Sequence, residues 1–132
     1  PRPSTVHSSP PLPQSLFLRH CDLICTHGGS ITLLQAVYSC VPMVLVPLIA
    51  DQFFNAQVVE GLQLGRIVKR DRLTPPSIRE AVVAVMRDPT YMHNIERLQA
   101  EMRALPDQSY AVELIERVVA TRGPQLNTVM NR

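Results

Sequence analysis

HGGSITLLQAVYSCVPMVLVPLIADQFFN, residues 27–55, decides the fold. A strand over residues 23–26 runs into the turn His27-Gly28-Gly29, a helix follows from Ser30 to about Cys40, and residues 43–46 make a second strand. The uninterrupted apolar run Met43-Val44-Leu45-Val46 between Pro42 and Pro47 is the pattern of a parallel strand covered on both faces. Two glycines let the backbone approach a ligand with no Cβ in the way. The helix behind them directs unpaired N–H groups and a partial positive charge at whatever sits there, and a phosphate is the natural occupant. Asp51, Gln52 and Asn55 come just past the second strand, where ligands bind in open α/β sheets. Read alone, Asp51 is an N-cap and Gln52 a first-turn residue of a helix reaching about Gln63.

The rest of the chain extends this βαβ pattern. Residues 1–14 hold five prolines and no apolar period, so they read as extended linker or loop. Ser15 is placed to cap a short turn over residues 16–20. Within the helix after the glycines, Ile31, Leu34, Val37 and Tyr38 recur at helical spacing and are expected to face the core. Gly61 and Gly65 end the next helix, and residues 66–68 form a third strand. Thr74 opens a capped helix with Pro75 and Pro76 in its first turn and Ile78, Ala81, Val82, Val85 and Met86 on one face. Asp88-Pro89 breaks it, and helices over residues 91–104 and 110–121 follow. One partial domain over residues 15–122, with a flexible tail over 123–132, is the expected organisation.

Composition narrows the function classes. With 132 residues, 45% hydrophobic content and a formal charge of +2, the chain reads as one globular domain. Charge is mixed and aromatics are only 5% with no Trp, so the stacking platforms and basic stripes of nucleic-acid binders are missing. No run approaches the roughly 18 apolar residues of a membrane span, and a cytoplasmic location is expected. The first residue is Pro1, so the chain is expected to be a piece of something longer. Three cysteines, Cys21, Cys25 and Cys40, beside expected core elements suggest buried thiols in a reducing compartment. His20, Cys21, Cys25 and His27 offer four metal ligands within eight residues, but strand alternation separates them and the spacing is no common zinc module, so no metal is expected.

The same stretch resembles the donor-binding signature of nucleotide-sugar glycosyltransferases of the two-domain B fold, the superfamily of UDP-glycosyltransferases and of bacterial macrolide and antibiotic glycosyltransferases. Pro13-Gln14, His27-Gly28-Gly29, Thr32, Val41-Pro42, Pro47, Asp51-Gln52 and Asn55 stand in the family's order and at its spacing, and the likeness covers about residues 12–120. It implies an α/β fold, a Rossmann-like parallel sheet with flanking helices, forming the C-terminal half of the donor domain. Further implied are donor diphosphate binding by His27, Gly28, Gly29, Ser30 and Thr32, nucleoside binding by Gln14 and Gln35, and sugar binding by Asp51 and Gln52. Three positions depart from the pattern. Pro11 replaces a Trp that stacks on the base, Ile31 stands where the family carries Gly or Asn, and Gln35 stands where many members carry a ribose-binding glutamate.

The function so implied is donor binding in an inverting transferase that moves a hexose from a UDP- or TDP-sugar to a hydroxyl of a small-molecule acceptor. Neither metal nor cofactor is needed, the sugar nucleotide being a substrate. The general base is expected in an N-terminal domain, so no catalytic residue is assigned in this chain, which alone is expected to be inactive. Its naked sheet edge needs that missing domain, a partner chain or a homo-oligomer. Alternative readings are a non-catalytic nucleotide-sugar-binding subunit or inactive fragment and, third, a sugar-nucleotide epimerase.

Overall fold

The computed structural model describes residues 6–7, 12–106 and 108–122. Three strands, β1 (Ile24–Thr26), β2 (Met43–Leu45) and β3 (Gly65–Ile67), form a parallel sheet in the order β1-β2-β3. Helix α1 (Gln14–Leu18) precedes β1, α2 (Ser30–Tyr38) links β1 to β2, and α3 (Gln52–Gly61) links β2 to β3. A 3₁₀ turn (Arg70–Arg72), α4 (Pro75–Arg87) and α5 (Pro89–Arg103) complete this part. The chain divides after Met102 into two compact units. Helix α6 (Gln108–Thr121) lies in the second unit and exposes Val112, Ile115 and Val119.

Only the central strand is buried throughout. Met43, Val44 and Leu45 of β2 are all solvent-free. Met43 and Leu45 pack with Ala36, Val37, Ala56, Val59, Leu64 and Ile95 of α2, α3, α5 and the turn before β3. Val44, on the opposite face, packs with Val68 and with Ala81 and Val85 of α4. Alternating side chains thus feed two apolar layers, as the Val/Met/Leu run requires.

Expectations for β1 and α2 need correction. Strand β1 is not buried: Ile24 and Thr26 are half-buried and Cys25 is exposed, because among the described residues β1 has a neighbour on one side only. None of the three thiols is fully buried, and of them only Cys40 is packed against the core. Cys21 and Cys40 are partly buried, and partial desolvation raises the Cys25 thiol above its ordinary value. On α2 the core face is Leu33, Ala36 and Val37, and Cys40 just past the helix end packs on the same core. Ile31, Leu34 and Tyr38 are 73%, 58% and 53% exposed. Both sets satisfy i, i+3, i+7 spacing because this helix is apolar nearly all round, so periodicity alone selects neither.

Caps settle the helix ends. Helix α1 begins at Gln14, with Pro13 rather than Ser15 at the cap position and no side-chain cap. Asp51 precedes α3 without capping it. The helix-ending left-handed residue after α3 is Gln63, at φ 52°, and neither Gly61 nor Gly65 takes that role. At α4 the expected cap is present. Thr74 Oγ1 accepts from Ser77 N at 3.3 Å, and Ser77 Oγ accepts from Thr74 N at 3.0 Å, with Pro75 opening the helix. Thr74→Ala should cost about 1 kcal/mol of stability, the usual worth of such a cap. A urea midpoint matching that of the parent would show that the box contributes nothing. Asp88 ends α4, and its carboxylate accepts from Thr90 N at 2.9 Å, so α5 begins at Pro89, two residues earlier than the sequence suggests. That hydrogen bonding holds the Asp88 pKa below its ordinary value. Its support for the fold is therefore present above the usual carboxylate range and fades as pH falls through it.

Candidate functional site

The β1–α2 turn sits at the C-terminal end of the sheet. Gly28 adopts φ +92°, a conformation open to glycine, and a Cβ there would meet Leu45 Cδ2 at 3.3 Å. At Gly29 a Cβ would lie 2.9 Å from His27 Cε1, so a side chain there would displace the His27 ring. The His27 ring folds over Gly29, and its Nδ1 accepts the Gly29 N–H at 3.1 Å. The neutral ring then carries its proton on Nε2, facing outward as a donor. Gly28 N–H is also engaged, with Thr26 Oγ1 at 3.3 Å. Both glycine amides thus brace the turn, which differs from the simple amide cradle expected from the sequence.

Anion-receptive amides lie one step further along. The first backbone bond at this end of α2 runs from Leu33 N to Gly29 O, at 3.1 Å. That geometry leaves the N–H groups of Ser30, Ile31 and Thr32 without helical acceptors, at the positive end of the helix. The one Ser30 hydroxyl proton is directed at Asp51 Oδ2 instead, so it adds no donor to this group.

Helix α3 is fastened to the turn. Asn55 Nδ2 lies 3.0 Å from Gly28 O, 3.2 Å from Ser30 Oγ and 3.0 Å from Asp51 Oδ2. Ser30 Oγ in turn donates to Asp51 Oδ2 at 3.3 Å. His27, Gly28, Gly29, Ser30 and Asp51 are therefore brought together, with Asn55 pinning them. The motif alone gives Asn55 no structural role. Its position four residues after Asp51 puts the two on one helix face, and that was the available signal.

Gln52 points elsewhere. Its Oε1 accepts from Leu48 N at 2.9 Å and Ile49 N at 3.1 Å, bracing the loop before α3. Within that loop Ala50 stands at φ 52°, a strained setting for a residue with a Cβ and one that recurs at functional sites. Only the Gln52 amide nitrogen is left for another partner.

Gln14 and Gln35 lie on the α1–α2 side. Thr32 Oγ1 donates to Gln14 Oε1 at 3.3 Å, which ties the two side chains together and leaves the Gln14 amide nitrogen for another partner. Gln35 Oε1 is buried without a hydrogen-bond partner. The residue lines a cavity of about 280 Å³ with Ser15, Arg19 and Tyr38. An unpaired buried acceptor costs about 1–3 kcal/mol, so a donor supplied by a ligand would be worth having there. Pro11, at the position of the stacking Trp, lies outside the described residues. Among the described residues, no three His, Cys, Asp or Glu side chains converge in a way that would hold a metal ion.

Residues 2–120 match the family described as erythromycin biosynthesis protein CIII-like, C-terminal domain. The chain belongs to this family. Among its relatives, oleandomycin glycosyltransferase of Streptomyces antibioticus is 32% identical over 121 residues, 92% of this chain and 28% of that protein. The 10-deoxymethynolide desosaminyltransferase of Streptomyces venezuelae is 31% identical over 109 residues, 83% of this chain and 26% of that protein. The solved structure of glycosyltransferase VinC in complex with DTDP superposes with a TM-score of 0.83 at 28% identity, covering 92% of this chain and 30% of VinC. The calicheamicin glycosyltransferase CalG4 gives 0.83 at 30% identity, covering 94% of this chain and 32% of CalG4. This CIII-like domain thus spans under a third of the length of these glycosyltransferases. Its parallel sheet with flanking helices is the α/β architecture expected for the C-terminal half of a B-fold donor domain.

Proposed function

We propose that this domain binds the donor in an inverting, metal-independent glycosyltransferase that moves a hexose from a UDP- or TDP-sugar to a hydroxyl of a small-molecule acceptor. The observation that carries the reading is the anion-receptive end of α2, where the N–H groups of residues 30–32 have no helical acceptors and the exposed His27 ring stands on the same turn. In the reaction, a base from the rest of the protein takes the acceptor hydroxyl proton. The acceptor oxygen bonds to the anomeric carbon, the bond from that carbon to the diphosphate oxygen breaks, and the nucleoside diphosphate leaves with the electron pair. The domain's part is to hold and stabilise the charge growing on that diphosphate, a preorganised electrostatic role. VinC, a relative by fold and sequence, was solved with DTDP, which supports a nucleoside diphosphate as the ligand.

The other assignments follow from position. Gln35 Oε1 takes a donor from the nucleoside, and Asp51 with the Gln52 amide nitrogen meets hydroxyls of the transferred sugar. No cofactor enters, the sugar nucleotide being consumed as substrate. The exposed Ile31, Leu34 and Tyr38 and the single-sided β1 support a preceding domain or partner chain that covers them. No helix among the described residues is long and apolar enough to cross a membrane, consistent with work on a dissolved donor.

Ligand-induced thermal stabilisation of the full-length protein by UDP-, TDP- and GDP-sugars tests the reading, with a shift expected for the first or second. No shift with any of them would overturn it. Asp51→Asn and Gln52→Ala should raise the KM for the intact sugar nucleotide about tenfold, the worth of one charge-assisted hydrogen bond. The Kd of the bare nucleoside diphosphate should stay within a factor of about two. Equal loss of the bare nucleotide would instead place both residues in service of the turn.

A further inference from the structure

We infer that Asn55 is a positioning residue: it holds the Asp51 carboxylate beside the diphosphate turn and leaves one carboxylate oxygen open for the transferred sugar. The inference rests on the donor reading above and names what joins its sugar and diphosphate sites.

Asn55 reaches from α3 to the β1–α2 turn. Its backbone N–H meets Asp51 O at 2.9 Å, which sets the two residues one helical turn apart on the same face. Its Nδ2 lies 3.0 Å from Gly28 O and 3.0 Å from Asp51 Oδ2, with Ser30 Oγ at 3.2 Å. An amide nitrogen carries two protons, so it serves two of these groups at once, and the two shorter contacts take them. A backbone carbonyl and a carboxylate can only accept, so the nitrogen of the amide faces them and the oxygen does not. One side chain therefore ties the turn after β1 to the residue just before α3.

The two ends of this tie depend on it unequally. The turn has braces of its own, Gly29 N–H to His27 Nδ1 at 3.1 Å and Gly28 N–H to Thr26 Oγ1 at 3.3 Å, and Thr26 is paired with Leu45 of the buried β2. Asp51 has no such support. It is exposed, its side chain does not cap α3, and it follows Ala50, which stands at φ 52°. Among the described residues its side chain has two partners, Asn55 Nδ2 and the Ser30 hydroxyl, and both bind Oδ2. Oδ1 is left open, and a carboxylate held by one oxygen presents the other in a fixed direction, as an acceptor for a sugar hydroxyl. Loss of Asn55 should therefore fall on the sugar and spare the diphosphate. A purely structural tie would instead affect every ligand of the site alike.

Titration calorimetry of the full-length protein with UDP, TDP, UDP-glucose and TDP-glucose tests this. Asn55→Ala should raise the Kd of the hexose nucleotide about fivefold, the worth of one ordinary hydrogen bond. The Kd of the matching bare nucleotide should stay within a factor of about two, as for independent sites. Once Asp51→Ala has removed the carboxylate, adding Asn55→Ala should change the hexose nucleotide by less than about twofold, because nothing is left to orient. Alanine suits a helix better than asparagine does. Asn55→Gln, which keeps the amide but displaces it by a methylene, should show the same selective loss and serves where the alanine variant does not fold. Equal loss of bare and hexose nucleotide, an undiminished effect in the Asp51→Ala background, or no effect of either Asn55 variant would each overturn the inference. A parent protein that binds neither UDP nor TDP would overturn the donor reading itself, and the inference with it.

Discussion

Gly65→Ala should destabilise the domain by about 3 kcal/mol, at the upper end of what overpacking usually costs. A Cβ built on Gly65 runs into the Met43 carbonyl oxygen, and its next nearest neighbours are the Met43 carbonyl carbon and Cβ, each 2.9 Å away. Backbone of the buried central strand cannot swing aside as the end of a long side chain can. Relief requires β3 to move away from β2, and that pulls on the bonds from Met43 N to Leu64 O at 3.1 Å and from Val68 N to Leu45 O at 2.8 Å. It also opens the layer in which Met43, Leu45 and Leu64 pack. Gly61 is the matched control, because nothing lies within 4 Å of a Cβ there. It closes α3 with no left-handed φ, so Gly61→Ala should gain about 0.5–1 kcal/mol from helix propensity and a less flexible unfolded chain. Urea denaturation of the two variants decides the matter. A Gly65→Ala loss under about 1 kcal/mol would mean that the sheet yields more easily than its packing indicates.

What the sequence made legible was whatever local chemistry determines. The Met43–Val46 run could only be a covered strand, and Thr74 with Pro75 and Ser77 carries its own start signal. The order of His27-Gly28-Gly29, Asp51 and Asn55 was enough to bring the β1–α2 turn and the start of α3 together at one end of the sheet. Elsewhere two answers were locally equivalent. Both stripes of α2 are apolar, and only the tertiary placement of β2, α3 and α5, whose Met43, Leu45, Ala56, Val59 and Ile95 form the core, selects Leu33 and Ala36 over Ile31 and Leu34. Edge status made β1 half-exposed, and edge status follows from the number of strands rather than from residues 23–26 themselves. The side-chain bonds were least legible. Gln52 was read as a sugar ligand, yet half its hydrogen-bonding capacity serves Leu48 and Ile49. Gly65 did leave a trace, since an isolated glycine at a strand often marks close backbone approach.

His27→Ala should weaken binding of the bare nucleoside diphosphate by about 1.5–3 kcal/mol, the range for a hydrogen bond to a charged group. That is a rise in Kd of about tenfold to more than a hundredfold. The ring has two separable tasks. Nδ1 accepts the Gly29 N–H at 3.1 Å and so shapes the turn, while Nε2–H is the donor proposed to meet the diphosphate. Alanine removes both, and the Gly29 amide it frees becomes a replacement donor that offsets part of the loss. Asparagine separates them. Its side-chain oxygen readily accepts from the backbone N–H two residues on, as Nδ1 does now, but the shorter side chain has nothing at the place of Nε2. If Nε2 holds the phosphate, His27→Asn should bind as poorly as, or worse than, His27→Ala, because the turn stays closed and the Gly29 amide stays occupied. If His27 merely shapes the turn, asparagine should restore affinity to near that of the parent. Isothermal titration with UDP and TDP on the full-length variants reads the difference directly, and recovery in the asparagine variant would remove His27 from the diphosphate site.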